Sequence, residues 1–378
     1  METTLEVPQG VFELTRNSTR NIESLRAWDA ADEYVLNYLF EEKLLVDDVR
    51  ILILNDSFGA LAVALHKYSP VAISDSYLSQ QATRRNLIAN DLLPDYVQMH
   101  SIMDFTQDSF DLVIIKVPKT LALLEYELIS LSKNIKPSNR VILAGMIKVL
   151  PPSVWKLCER ILGPTTTSLA KKKSRLIFVS PDKDRDPADN PYPICYQLEN
   201  TKFEICNHAN VFSRDSLDIG TRFFLQHIPA NSTAKRIIDL GCGNGVVGLI
   251  AAERNKDSKL CFVDESFMAL ASAKQNFMSA YSESRQADFY AADGLADFEP
   301  DSADLILCNP PFHQQQTVGD YIAQQMFRQS FHVLQKGGEL RVIGNRHLGY
   351  HASLKRVFGN VEQLAANSKF VILKSIKT

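Results

Sequence analysis

Residues Ile237–Leu249 decide the fold, and they read Ile-Ile-Asp-Leu-Gly-Cys-Gly-Asn-Gly-Val-Val-Gly-Leu. The stretch begins with a short apolar run that ends in an acid, Asp239, as a buried parallel strand does. Three glycines follow at alternate positions, Gly241, Gly243 and Gly245, and a helical pattern comes next. Glycine tolerates positive φ and lets a ligand approach the backbone, so this order of strand, glycine loop and helix predicts a nucleotide pocket.

The glycine spacing does not match a dinucleotide-binding site. That fingerprint needs G-x-G-x-x-G, but Val246 stands where the third glycine belongs. An acid followed by three alternate glycines is instead similar to the cofactor loop of S-adenosylmethionine-dependent methyltransferases. A glycine-rich segment also occurs as a purely structural turn, so this interpretation depends on further motifs in the right order.

Two acids follow the glycine loop at the ends of later segments. Lys259–Val263 has the pattern of a second strand and ends at Asp264, where a carboxylate is placed to accept both hydroxyls of a ribose. Asp293 follows the apolar segment Phe289–Ala292, where such enzymes place an acceptor for the adenine amino group. An Asx turn before Gly294 is the alternative for Asp293.

The segment Ala303–Phe312 ends in Asn-Pro-Pro-Phe directly after an apolar strand pattern. Its two prolines predict a rigid turn at the C-terminal end of that strand, where open α/β sheets bind ligands. Asn309 and Pro310 offer carbonyl oxygens that accept from the two N–H bonds of a planar amino group, and Phe312 offers a ring that stacks on a base. We expect these three residues to be catalytic; a plain Asn-Pro turn is the alternative.

Together these motifs resemble a class I methyltransferase that acts on an exocyclic or amide nitrogen. Three longer segments, Asn210–Asp215, Leu217–Gly220 and Asn309–Gln314, resemble the ribosomal RNA guanine-N2 methyltransferases. Over nearly the whole chain the pattern is similar to the large-subunit methyltransferase G type rather than to its small-subunit relatives. The resemblance implies methyl transfer from S-adenosylmethionine to the exocyclic N2 of a specific guanine in 23S rRNA.

The resemblance also implies a fold and further contacts. The fold would be α/β, with two tandem class I (Rossmann-like) domains whose seven-stranded mixed sheets end in a C-terminal antiparallel hairpin. Phe212, Asp218 and Thr221 become candidate cofactor contacts, although core and capping roles fit them at least as well. The rRNA substrate is expected to be protein-free or partly assembled.

Other functions share parts of this pattern. The alternatives are a small-subunit guanine-N2 enzyme, an N-methyltransferase of adenine N6 or of protein glutamine, and a non-catalytic RNA-binding assembly factor. Phe312 favours guanine, because Tyr is typical of that position in the adenine and glutamine enzymes. The intact glycine loop and Asn-Pro-Pro-Phe turn speak against a non-catalytic factor.

The N-terminal half repeats the plan of the C-terminal half without its chemistry. Val49–Leu61 corresponds to the glycine-loop stretch, but of the three glycines only Gly59 keeps its place. Ala72–Asp75 echoes Cys261–Asp264, and Lys116-Val-Pro-Lys stands where Asn-Pro-Pro-Phe should be. The first half therefore has no predicted means of holding a cofactor or a base.

We expect residues 1–186 to form this degenerate, non-catalytic and RNA-binding domain, and residues 187–378 to form the catalytic one. In the first domain Lys171, Lys172 and Lys173 form a basic run on a predicted hairpin turn, which would make a phosphate contact; a solvated tip is the alternative. In the second, Arg346 follows a predicted strand on the pocket side, where it would hold RNA phosphate or form a surface salt bridge.

The composition indicates a soluble globular protein. The chain has 378 residues, 45% of them hydrophobic and 22% charged, and its net charge of −3 argues against bulk affinity for nucleic acid. No signal peptide is visible and no apolar run reaches about 18 residues, so we expect a cytoplasmic protein without a membrane span. The six cysteines form no C-x-x-C pair, so we expect reduced thiols and no metal site.

Overall fold

The computed structural model describes residues 2–16, 25–105, 109–182, 185, 189–230, 233–311 and 316–378. The chain divides into two compact units, Met1–Pro191 and Tyr192–Thr378, which we call unit 1 and unit 2. Within the described ranges, no helix is both long enough and apolar enough to cross a membrane.

Unit 1 alternates strands and helices. Its described strands are β1 (Thr4–Val7), β2 (Gly10–Glu13), β3 (Ile51–Leu54), β4 (Val71–Ser74), β5 (Gln98–Ser101), β6 (Leu112–Lys116), β7 (Arg140–Met146), β8 (Thr165–Thr167) and β9 (Ser174–Val179). Its described helices are α1 (Ala30–Glu41), α2 (Ala60–Ala64), α3 (Tyr77–Ala89), α4 (Leu121–Ser132) and α5 (Pro152–Ile161).

Unit 2 has the same succession of elements. Its described strands are β10 (Ile194–Gln197), β11 (Glu204–Asn207), β12 (Arg236–Leu240), β13 (Lys259–Asp264), β14 (Ala287–Ala291), β15 (Ala303–Cys308), β16 (Leu334–Asn345), β17 (Glu362–Ala366) and β18 (Phe370–Ile376). Its described helices are α6 (Ile219–Leu225), α7 (Val246–Arg254), α8 (Phe267–Tyr281), α9 (Gln316–Val333) and α10 (Tyr350–Phe358).

The main sheets of the two units have the same strand order. Among the described residues each has seven strands, in the order β5-β4-β3-β6-β7-β9-β8 in unit 1 and β14-β13-β12-β15-β16-β18-β17 in unit 2. The first five strands of each order run parallel, and the sixth strand pairs antiparallel with both the fifth and the seventh. The predicted tandem class I fold with mixed sheets and a C-terminal hairpin is confirmed.

The central strands bury apolar side chains on both faces of each sheet, and in unit 2 each face packs against a separate apolar cluster. In unit 2, Ile237 and Leu305 belong to one buried cluster, whereas their chain neighbours Ile238 and Ile306 belong to another. Successive residues of a strand point to opposite faces, so an uninterrupted apolar run fills both cores. Because both faces are buried, the register of each strand relative to its neighbours is fixed, and so is the residue at which the strand ends and its loop begins.

Gly59 keeps its place in unit 1 for a packing reason. A Cβ on Gly59 would lie 2.8 Å from the Thr83 backbone, just as one on Gly245 in unit 2 would lie 2.8 Å from Ala273. Each glycine has a positive φ, 80° and 78°, and begins the helix after the loop. The third glycine of the loop is therefore required by the fold, whereas the first two, which unit 1 lacks, are free to serve a ligand.

The correspondence of Asp75 with Asp264 was wrong by one residue. Ile73 pairs with Leu54 as Val263 pairs with Leu240, so the next residue, Ser74, occupies the position of Asp264. The local hydrogen bonds agree, because the Ser74 hydroxyl and the Asp264 carboxylate each accept the N–H two residues on. A one-residue difference in where the strand ends cannot be read from an apolar pattern alone.

The expectation of reduced thiols was also wrong for two of the six cysteines. Cys195 and Cys206 lie directly opposite each other in the β10–β11 hairpin and form a disulfide. The pairing depends on the register of the hairpin, which the cysteine spacing does not reveal. The other four, Cys158, Cys242, Cys261 and Cys308, are free and buried.

Lys116 fills the strand end in unit 1 where Asn309 lies in unit 2. Its ammonium lies 2.6 Å from the Asp32 carboxylate and 2.9 Å from the Asp29 carboxylate, at the N-terminus of α1. Burial lowers the pKa of Lys116, but the two carboxylates outweigh it, so the pKa lies above its ordinary value. The position that would serve a ligand is thus closed by an internal ion pair.

We expect Lys116→Met to destabilise unit 1 by about 3 kcal/mol, because it leaves the buried Asp32 without its counter-ion. Both tryptophans of the chain, Trp28 and Trp155, lie in unit 1, so tryptophan fluorescence in a urea titration follows the unfolding of that unit. Lys119→Met, at an exposed lysine three residues on, is the matched control. Equal transition midpoints for the two variants would show that the ion pair does not support the fold.

Candidate active site

The glycine loop and the Asn-Pro-Pro turn leave the sheet side by side. β12 and β15 are neighbours although β13 and β14 lie between them in the chain, so they form the point where the strand order reverses. Leu240 pairs with Cys308, and the next residues are Gly241 and Asn309. A Cβ on Gly241 would lie 3.8 Å from the Asn309 carbonyl oxygen. Ligands of open α/β sheets bind at this kind of crevice.

The glycine loop is held in a defined shape. The N–H groups of Gly241 and Cys242 both donate to the Val263 carbonyl, at 2.8 and 3.0 Å. Gly241 and Gly243 have φ values of 69° and 54°. A Cβ on Gly243 would meet no atom of the described residues within 4 Å, in contrast to one on Gly245. The backbone at Gly243 therefore faces open space that a ligand can occupy.

Two acids support the loop. Asp264 accepts from the Gly243 N–H at 2.9 Å and from the Ser266 N–H at 3.0 Å. Desolvation raises the pKa of Asp264 above its ordinary value, although these two hydrogen bonds oppose the rise. Asp239 is 2% exposed and accepts from the Gly248 N–H at 2.7 Å. Burial raises the pKa of Asp239 to about 8, although the hydrogen bond from the Gly248 N–H opposes the rise.

Asn309 presents an unused acceptor. Its Nδ2 donates to the Thr221 hydroxyl oxygen at 3.2 Å, whereas its Oδ1 is buried and has no hydrogen-bond partner among the described residues. A buried polar atom without a partner carries a desolvation cost unless a ligand satisfies it. The Asn309 oxygen is therefore placed to accept a hydrogen bond from a donor that the described part of the protein does not supply.

Asp293 is held by α9, which follows the Asn-Pro-Pro turn in the chain. Gln325 donates to the Asp293 carboxylate at 3.0 Å, and Gln329 donates to the Asp293 carbonyl at 3.1 Å. The Gln329 oxygen also accepts from the Leu295 N–H at 3.0 Å. Sequence reasoning missed both glutamines; their spacing of four, on one face of a predicted helix, was the available signal.

The other candidate residues are placed as follows. Pro310 is buried, Phe212 is 58% exposed, and Arg346 donates to the Asn367 carbonyl. Asp218 caps α6 and accepts from the Thr221 N–H at 2.8 Å. Phe312 lies outside the described residues.

The three basic candidates belong to unit 1. Lys171, Lys172 and Lys173 are exposed on the turn before β9. Lys172 pairs with Glu33 at 2.8 Å, and the Lys171 ammonium lies over the Tyr34 ring. The turn is thus fixed against α1, with two of its lysines outside any described ion pair.

The residues present fit S-adenosylmethionine. The open backbone at Gly243 gives room for the cofactor. Asp264 is the last residue of β13, and Asp293 follows the end of β14 by two residues. The Asn309 oxygen, which has no partner among the described residues, lies directly after β15 and beside the end of β12, where a second substrate would meet the cofactor. We therefore retain the glycine loop, Asp239, Asp264 and Asp293 as the candidate cofactor site.

Two family models match the chain. The RLMG N-terminal domain matches residues 2–183, and the methyltransferase small domain matches residues 202–374. The ribosomal RNA large subunit methyltransferase G of Stutzerimonas stutzeri (strain A1501) is 50% identical over 374 residues, which cover 99% of each chain. That of Ectopseudomonas mendocina (strain ymp) is 50% identical over 371 residues and 98% of each chain.

A solved structure is similar over the full length. It is a T. thermophilus 16S rRNA N2 methyltransferase in complex with AdoMet and guanosine, with a TM-score of 0.76 and 19% identity, and the match covers 100% of this chain and 98% of that one. At this identity the likeness concerns the fold.

We expect Gly243→Ala to weaken S-adenosylmethionine binding about tenfold or more, a loss of about 1.4 kcal/mol, because the new methyl group enters the space left for the ligand. Gly359→Ala is the matched control, since Gly359 also has a positive φ of 77° and no neighbour within 4 Å but lies at the end of α10. Both variants carry a similar backbone strain of about 1–2 kcal/mol. Calorimetric titration that finds equal affinities for the two variants would place the cofactor elsewhere.

Proposed function

This chain belongs to the family of ribosomal RNA large subunit methyltransferase G, and from that premise we propose that unit 2 transfers a methyl group from S-adenosylmethionine to the exocyclic N2 of a specific guanine in 23S rRNA. The substrate also implies where the enzyme works, because bacterial rRNA is made and assembled in the cytoplasm. We propose protein-free or partly assembled rRNA as the substrate, since the base must leave its stack to reach the crevice.

The unsatisfied Asn309 oxygen carries this proposal. An exocyclic amino group has two N–H bonds, and Asn309 Oδ1 is an acceptor that no described protein group uses. The Pro310 carbonyl would accept the second N–H bond, and Phe312 would stack on the base, a contact worth about 1–3 kcal/mol. An aminopurine satisfies the buried oxygen, whereas a hydroxyl substrate leaves the second acceptor unused.

Bound S-adenosylmethionine supplies an activated methyl group on its sulfonium centre. The chain's own residues then have to position the amine in line with that methyl group and exclude water. The lone pair of a guanine N2 is delocalised into the ring. Acceptors at Asn309 and Pro310 favour a pyramidal nitrogen and stabilise the positive charge that develops on it during attack.

We propose that unit 1 contributes RNA binding rather than catalysis. Its strand end is closed by the Lys116 ion pair, and it lacks the first two loop glycines. Its exposed lysines at 171–173 provide local positive charge for binding RNA phosphates, although the net charge of the whole chain is −3. Arg346 in unit 2 is a second candidate phosphate contact.

We expect Asn309→Ala to lower the rate of methyl transfer about 10²–10³-fold while cofactor affinity stays within a factor of two, because it removes an acceptor used in the transition state. The assay is incubation of unmodified rRNA with labelled cofactor, followed by nucleoside mass spectrometry for N2-methylguanosine. Asn309→Asp keeps an acceptor oxygen at this position and replaces the NH₂ group by a second oxygen, so it should lose less activity than Asn309→Ala.

Different products would separate the alternatives. N6-methyladenosine, or label in protein, would replace the guanine assignment, and transfer to small-subunit rRNA alone would replace the large-subunit target. If the wild-type protein transfers no methyl group to any of these substrates, the non-catalytic RNA-binding assembly factor becomes the remaining alternative.

We expect Lys171→Gln combined with Lys173→Gln to raise the KM for rRNA roughly tenfold with little change in kcat, because each lysine lost removes a phosphate contact. Lys172 is left in place since it pairs with Glu33. Lys133→Gln combined with Lys136→Gln, at exposed positions elsewhere in unit 1, controls for the change of charge. Equal KM values for the two double variants would remove the basic turn from the RNA-binding surface.

A further inference from the structure

A short chain of polar contacts leads from the start of α6 to the catalytic turn. The Asp218 Oδ2 atom lies 2.8 Å from the Thr221 backbone nitrogen and 3.3 Å from the Thr221 hydroxyl oxygen. That hydroxyl oxygen lies 3.2 Å from Asn309 Nδ2. Thr221 is only 7% exposed, so water does not compete freely for these contacts.

The hydrogen bonds from Asp218 to Asn309 share the Thr221 hydroxyl, which donates one of them and accepts the other. A carboxylate oxygen acts as an acceptor, and the Thr221 hydroxyl donates its single hydrogen to Asp218. The Thr221 oxygen can then interact with Asn309 only as an acceptor. The amide of Asn309 must therefore turn its NH₂ group towards Thr221, and its oxygen towards the crevice.

Unit 1 shows the same contact with different chemistry. Asp29 caps α1 as Asp218 caps α6, and Asp32, like Thr221, is the third residue after the cap. Lys116 at the strand end contacts Asp32 as Asn309 contacts Thr221. Each unit thus brings the start of a helix into contact with the end of a strand. In unit 2 the residue at the strand end, Asn309, has a side-chain oxygen without a described partner, whereas in unit 1 the residue there is Lys116, whose side chain has no acceptor.

We propose that Asp218 and Thr221 are positioning residues that fix the orientation of the Asn309 amide. A free amide can rotate by half a turn and present its NH₂ group instead, which would favour a substrate that accepts, such as a ring nitrogen or a carbonyl. The relay from Asp218 through Thr221 holds the acceptor face towards the substrate and so selects an amino group. This inference rests on the proposed role of Asn309.

The test compares Thr221→Val, which removes the hydroxyl at nearly constant volume, with Thr221→Ser, which keeps it. We expect Thr221→Val to lower kcat for rRNA methylation about tenfold, with KM and cofactor affinity within a factor of two, because the loss of one buried hydrogen bond frees the amide. Thr221→Ser should restore kcat to within a factor of two of wild type. Thr83→Val removes an equally buried threonine hydroxyl from a helix of unit 1 and should leave kcat unchanged.

A second measurement does not depend on activity. In protein labelled with ¹⁵N-asparagine, the side-chain amide of Asn309 is assigned by its loss in Asn309→Asp. We expect slow hydrogen exchange of this amide in wild type and Thr221→Ser, and fast exchange in Thr221→Val.

Unchanged kcat in Thr221→Val, or equal exchange in Thr221→Val and wild type, would overturn the relay. If the wild-type enzyme forms no N2-methylguanosine, the proposed function fails, and the exchange measurement still decides whether Thr221 orients the amide.

Discussion

The parallel pairing of β12 with β15 is the constraint on which the candidate site depends. It places Gly241 beside Asn309, although 67 residues of chain separate Leu240 from Cys308. Both strands bury apolar residues on both faces, so sliding either strand by one residue would move its residues from one buried cluster to the other. The free-energy cost of that shift holds the glycine loop and the Asn-Pro-Pro turn at the same level along the two strands. It therefore also sets the distance between a bound methyl donor and the Asn-Pro-Pro turn.

Buried asparagines connect the loop after the first central strand to other elements of each unit by hydrogen bonds. In unit 2, Asn276 of α8 donates to the Asn244 carbonyl in the glycine loop and to the Cys206 carbonyl in the β10–β11 hairpin. In unit 1, Asn86 occupies the same place on α3 and donates to the carbonyls of Phe58 and Thr15. A residue that both units keep is one that the fold needs, whatever the loop binds.

The contrast between the two units separates fold from chemistry. Both retain the third loop glycine, the helix cap and the contact between helix start and strand end. Only unit 2 has glycine at the two positions that face a ligand and a neutral side chain at the strand end. Unit 1 replaces that neutral side chain by Lys116, which forms ion pairs with Asp29 and Asp32 and leaves no acceptor for a substrate.

The sequence by itself determined the class of fold, its duplication and the identity of the two key loops, because apolar runs, alternate glycines and a double proline are local patterns that few backbones accommodate. The tertiary structure decided what depends on register and on partners distant in the chain. It gave Ser74 rather than Asp75 the position in unit 1 that Asp264 has in unit 2, paired Cys195 with Cys206, and brought Gln325 and Gln329 to Asp293. It also set the direction of the Asn309 amide, since Thr221 and Asp218 lie about 90 residues before it in the chain and meet it only after the sheet has formed.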